Sequence, residues 1–94
     1  MKIRLMKAAI RDLRETRAYI AADDPGAAQK VISRIEKAIA LIGEQPQIGR
    51  PVPTQLVREW SVPGLPYVIP YRVVDGVIEI VRIHHTRRKK PSEW

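Results

Sequence analysis

Two histidines stand side by side at His84 and His85, and the cationic run Arg87, Arg88, Lys89 and Lys90 follows them. Upstream lie Arg72 and Arg82. Such a set supports two kinds of chemistry. An imidazole can give or take a proton near neutral pH, and guanidinium groups can hold a phosphate or a developing oxyanion, which together serve phosphodiester cleavage. The same residues can instead form a cationic surface that grips an acidic partner and breaks no bond. Metal chemistry is disfavoured, because adjacent histidines lack the spacing of a zinc site. The chain also has no cysteine, which excludes thiol and disulfide chemistry.

The elements that must position these residues belong to one domain, 1–94. A chain of this length hides only about two-thirds of its surface on folding and cannot support two cores. Seventeen Lys and Arg against ten Asp and Glu leave a net charge of +7, which selects acidic partners such as nucleic acid or an acidic protein. No apolar run approaches the ~18 residues of a membrane span. The opening MKIRLMK alternates charged and apolar groups instead of building a signal-peptide core, so no membrane role and a cytoplasmic location are expected.

Lys2 to Met6 alternates as a short edge strand does. From Lys7 the period becomes helical, with Ile10, Leu13, Thr16 or Arg17, and Ile20 as the inward stripe and Arg11 and Arg14 outside it. Asp24-Pro25 is a helix start: Asp accepts free N–H groups and Pro is tolerated in the first turn. Ala28, Val31, Ile32, Ile35, Ala38, Ile39 and Ile42 then give a clean amphipathic stripe that Gly43 and Pro46 stop. Gln47 to Gln55 reads as a surface loop, and Arg58 to Val62 as a strand carrying a core or half-buried Trp60. Tyr67 to Val74 and Val77 to His85 form a hairpin closed by Asp75-Gly76. The expected fold is α+β in two layers: an N-terminal strand, an antiparallel helical hairpin and a three-stranded antiparallel meander.

Pairing Val74 with Val77 sets Arg72 opposite Glu79, Tyr71 opposite Ile80, Ile69 opposite Arg82 and Val68 opposite Ile83. Ile69, Tyr71, Val73, Ile78 and Ile80 then share the core face, with His84 on that side. Val68, Pro70, Arg72, Glu79, Val81, Ile83 and His85 share a partly open face. Arg72 has a structural use as a cross-strand partner of Glu79, which is preferred over a phosphate site. Arg82, at the end of the core face, either snorkels past the helices or meets a partner's carboxylate. Trp94 has no core to join unless the chain end folds back or meets a partner.

Several stretches, taken in order, resemble the ParE branch of the RelE/ParE superfamily of bacterial type II toxins, over nearly the whole chain. They are Asp12-Leu13 and Tyr19-Ile20 on the first helix, the helix start Asp24 to Ala28, the P-x-I-G-R loop Pro46 to Arg50, and VPGLPYVIPYR from Val62 to Arg72. The resemblance implies a small toxin held inactive by a cognate antitoxin whose disordered acidic segment wraps it, with operator DNA reached only through that antitoxin. It also implies one of two activities on one fold: ParE poisons DNA gyrase, and RelE cuts mRNA on the ribosome.

Fold cannot choose between these, so the residues must. At the positions matching the nuclease relatives' Arg and their terminal His or Tyr, this chain has Val68, His85 and Thr86. His85 is left without a second proton-transfer group. The expected activity is therefore gyrase inhibition by binding, with no catalytic site, metal or cofactor. The alternative is a ribosome-dependent endoribonuclease using His85 with Arg72, Arg82 or Arg87; a third reading is a non-toxic co-repressor that binds only its antitoxin. Antitoxin contacts are expected at Arg11, Arg14, Arg17 and Arg82. Target contacts are expected at His85, Arg87, Arg88, Lys89, Lys90 and Trp94, on a basic tail spanning 87–94.

Overall fold

The computed structural model describes residues 1–94. Its element order is β1 (Lys2–Leu5), α1 (Lys7–Ala21), α2 (Pro25–Glu44), β2 (Arg50–Val52), a 3-10 turn (Pro53–Gln55), β3 (Val57–Ser61), β4 (Tyr67–Val74), β5 (Val77–Ile80) and β6 (His84–His85). The Asp24 carboxylate caps α2 by accepting the Ala27 N–H at 3.0 Å, with Pro25 in the first turn. The helical hairpin packs on one face of a sheet ordered β1-β5-β4-β3-β2, with β6 beside the other end of β4. The β1–β5 pair is parallel; all others are antiparallel. The α+β architecture, the edge position of β1 and the β3–β4–β5 meander agree with the sequence reading. The expected loop at 47–55 also holds β2, a three-residue edge strand interrupted by Pro51.

The core joins Ile35, Ala38, Ile39 and Ile42 of α2 to Tyr67, Ile69, Tyr71, Ile78, Ile80 and Ile83 of the sheet side. The α1 stripe differs from expectation. Ala9 and Asp12 are its buried residues, Ile10 is 40% exposed, and Leu13, Thr16 and Ile20 are half-buried. The cause is Asp12, an acid turned inward to meet Arg82, which an apolar pattern skips. Gly43 lies within the last turn of α2 and does not end it; a Cβ there would sit 2.6 Å from Ile3, so glycine lets β1 approach the helix.

The largest correction concerns the last strand. The pairs from Val74↔Val77 to Tyr71↔Ile80 are as read from the Asp75-Gly76 turn, but beyond them Val68 faces His84 and Tyr67 faces His85. Two residues separate Tyr71 from Val68, whereas three separate Ile80 from His84: a one-residue bulge. Pro70 has no N–H to continue the ladder, although its carbonyl still accepts from Val81 at 2.9 Å. The Ile83 N–H is drawn off the ladder to Asp12 Oδ2 at 2.9 Å. Arg82 and Ile83 therefore both turn to the helix side, and every later side chain changes face. Ile83 joins the core, His85 moves to the helix side, and His84 moves to the opposite face. Val73, expected in the core, is 49% exposed at the far end of β4.

Candidate functional site

On the helix side, β6, α1 and the turn before β4 enclose an open cleft of about 510 Å³ lined by Thr16, Tyr19, Tyr67, His85, Arg87 and Arg88, among others. The shifted register sets the His85 ring edge-on to its partner Tyr67, with centroids 5.1 Å apart. His85 Nδ1 accepts the backbone N–H of Arg87 at 3.1 Å. Burial, and then the charges of Arg87, Arg88 and His84, hold its pKa below the ordinary histidine value. The ring is thus neutral near pH 7, with its proton on Nε2 and its basic nitrogen already occupied. In that state Nε2 can donate, while Nδ1 is held by the Arg87 N–H.

The two upstream arginines are committed to carboxylates. Arg82 donates to both oxygens of buried Asp12, from Nε at 2.7 Å and Nη2 at 3.0 Å. Those hydrogen bonds, opposed by partial burial, raise its pKa. Arg72 Nε donates to Glu79 at 2.8 Å, as the register predicts, and Arg4 shares the same carboxylate. The bonds from Arg72 and then Arg4 hold Glu79 below the usual carboxylate range. Of the residues expected to meet an antitoxin, Arg11 and Arg14 are exposed on α1, Arg17 reaches Gln29 Oε1 at 3.2 Å, and Arg82 is the partner of Asp12.

The residues expected to meet a target are divided between the faces of the sheet. His85, Arg87 and Arg88 border the cleft, while Lys90 and Trp94 fold back over the other face. There Glu59 of β3 accepts from Lys90 Nζ at 2.7 Å, Trp94 Nε1 at 2.8 Å and Arg50 Nη2 at 2.5 Å. Burial pushes the Glu59 pKa up, but the donated bonds of Lys90 and Trp94 outweigh it and leave the group below the ordinary value. The Trp94 N–H also reaches Gln55 Oε1 at 2.8 Å, and the indole meets His84 edge-on at 5.3 Å. Part of the face read as partly open, around Glu59 and His84, is therefore covered by the chain's own tail, while Arg72 stays exposed. Arg87, Arg88 and Lys89 stay exposed, with no carboxylate at ion-pair distance.

The P-x-I-G-R stretch is held from below. The Tyr71 hydroxyl donates to the Pro46 carbonyl at 2.7 Å and accepts the Gly49 N–H at 2.8 Å, while Arg58 Nη1 donates to the Gly49 carbonyl at 2.8 Å. A Cβ at Gly49 would meet the Tyr71 ring and hydroxyl at 2.7 Å, so only glycine fits. Sequence reasoning gave Asp12 and Glu59 no role of their own. No local signal marks them: α1 carries a second acid, Glu15, that stays exposed, and Glu59 alternates with Arg58 and Trp60 and lies on the face away from the helices.

Residues 3–90 match the family described as the ParE toxin of the type II toxin-antitoxin system parDE. The chain is 40% identical over 91 residues to Y4kP of Sinorhizobium fredii, which is named as a toxin, covering 97% of this chain and 94% of that one. It is 42% identical over 80 residues to the toxin RelE2 of Caulobacter vibrioides, covering 85% and 89%. A solved structure described as the chromosomal ParDE TA system from P. aeruginosa superposes with a TM-score of 0.82 over 93% of this chain and 97% of that one. At 24% identity that likeness is one of fold.

Proposed function

The chain belongs to the ParE toxin family of type II toxin-antitoxin systems, and on that premise we propose that it arrests growth by gripping DNA gyrase without chemistry of its own. A cognate antitoxin with an acidic, disordered segment neutralises it in the cytoplasm and carries any contact with operator DNA. The observation that supports binding over cleavage is the pairing of Arg72 and Arg82 with the buried carboxylates Glu79 and Asp12. A nuclease needs such cations for the developing phosphorane charge, and here that charge is already balanced. His85 Nδ1 already accepts the Arg87 N–H, and its neutral ring adds no further cation. The cations left over, Arg87, Arg88 and Lys89 beyond β6 and Arg11 and Arg14 on α1, suit contact with acidic protein surfaces.

One observation favours the ribonuclease reading: His85 shares its cleft with Arg87 and Arg88. The deciding experiment compares wild type with His85→Ala for inhibition of gyrase supercoiling and for codon-dependent mRNA cuts on ribosomes. Gyrase inhibition by both proteins, with mRNA intact, is expected. A general acid or base supplies roughly 10²- to 10⁴-fold. Ribosomal cuts that vanish in the variant, with gyrase untouched, would overturn the proposal. Antitoxin binding with neither activity would identify a co-repressor.

A further inference from the structure

We infer that Leu56 is the apolar anchor of a protein-protein contact, and that the surface around it receives the toxic target through an apolar pocket rimmed by carboxylates. Leu56 follows the 3-10 turn with φ 55° and ψ 35°, in the left-handed region, and is 84% exposed. A lone exposed leucine is ordinary. A leucine in a backbone conformation that favours glycine or asparagine is not, because folding alone selects against its side chain there.

The surroundings extend the patch. Leu56 shares an open cleft of about 300 Å³ with Val73, Pro51, Pro53, Arg58 and Arg72. Val73, at the end of β4, is 49% exposed, so the apolar surface around Leu56 includes it. Arg58 gives the patch its charge. Its guanidinium donates to the Gln47 and Gly49 carbonyls but has no carboxylate at ion-pair distance, unlike Arg72. An occupant that brings a carboxylate to Arg58 and an apolar pocket to Leu56 complements the site.

The neighbouring tail points to the target instead of the antitoxin, a choice that rests on the gyrase reading above and on the target contacts expected of Lys90 and Trp94. The residue before Leu56, Gln55, accepts the Trp94 N–H and also reaches the Ser92 carbonyl, so the docked tail lies beside the patch. No residue of α1, where Arg11, Arg14 and Arg17 lie, borders this cleft.

Leu56→Gly separates folding from binding, since glycine removes the anchor and relaxes the backbone; Leu56→Asn is the second variant. Both should melt no lower than wild type and should bind the antitoxin from the neighbouring reading frame within about twofold. Affinity for purified gyrase holoenzyme should fall about tenfold or more, as for a central anchor, and growth arrest on expression without antitoxin should be lost. Unchanged gyrase affinity and growth arrest overturn the inference. Loss of antitoxin binding overturns it too, by giving the patch to the other partner. If wild type arrests growth without binding gyrase and the variants do not arrest it, the anchor stands and the gyrase reading falls. If wild type neither binds gyrase nor arrests growth, both fall.

Discussion

Replacing Glu59 with Gln tests whether a single buried carboxylate holds the C-terminal segment on the sheet. Glu59 is 7% exposed and accepts from Arg50, Lys90 and the Trp94 indole. Glutamine keeps the shape, loses the charge, and turns one acceptor oxygen into a donor. The Arg50 and Lys90 side chains are 69% and 48% exposed, so solvent screens both pairs, and each is worth about 0.5–1 kcal/mol. The indole bond to a charged, buried acceptor is worth about 1.5 kcal/mol. Only the Lys90 and Trp94 contributions act on the tail, which makes about 2 kcal/mol, or a factor of roughly 30 in its docking equilibrium. The readout is hydrogen exchange of the two indole N–H groups by NMR. Trp94 Nε1 is bonded to Glu59, whereas Trp60 Nε1 is buried beside the core without a partner, so each reports one region. In Glu59→Gln the Trp94 indole should exchange about 30-fold faster while Trp60 is unchanged. Equal exchange of Trp94 in both proteins would refute the clamp. Parallel acceleration of Trp60 would show that the tail opens only with the whole domain.

Two further outcomes follow from the other buried acids and from His85. Asp12→Ala strands Arg82 and the Ile83 N–H, and with Arg82 only 31% exposed the loss should be about 2–3 kcal/mol. That lowers the melting temperature by roughly 10 °C or more; losses that simply add in Asp12→Ala/Arg82→Met would disprove the coupling. Glu59 and Glu79 have folded pKa values below 4.5, so their stabilisation is complete above that pH and is lost as pH falls through the lower folded values. His85, depressed below 6.5, adds a loss of the same sign at higher pH, because the unfolded chain takes up the proton first. Urea midpoints from pH 7 to pH 3 and an NMR titration check this; a His85 midpoint at or above 6.5 contradicts it.

What was legible in the sequence is what short-range chemistry determines. Asp24 and Pro25 mark the start of α2 because the cap and its acceptor lie within one turn. Asp75-Gly76 fixes the pairing from Val74↔Val77 to Tyr71↔Ile80 because both residues adopt the positive φ that such a turn needs. The register of β6 was not legible. It depends on Pro70 across the hairpin and on Asp12, separated from Ile83 by 71 positions, and no periodicity within 77–85 carries that information. The tail was illegible for the same reason, since its clamp lies 31 and 35 positions upstream of Lys90 and Trp94.

The bulge also changes how the histidines and arginines must be judged. On an unbroken ladder His85 shares a face with Arg72 and Glu79, and an acid-base site there is conceivable. With one residue inserted, His85 lies across the sheet from both, and its nearest cations are Arg87 and Arg88, which depress its pKa. Composition counts charges but not their partners. Arg4, Arg50, Arg72, Arg82 and Lys90 are consumed by Asp12, Glu59 and Glu79, each acid tying together elements far apart in the chain. Each of these acids is buried, so removing one leaves unpaired charge or open polar groups, while removing an exposed cation costs little. Substitutions at Asp12, Glu59 and Glu79 should therefore register as losses of stability or order. Substitutions at Arg11, Arg14, Arg87, Arg88 and Lys89 should leave the fold intact and register only in binding. That contrast separates the cations that build the protein from those available to its partners.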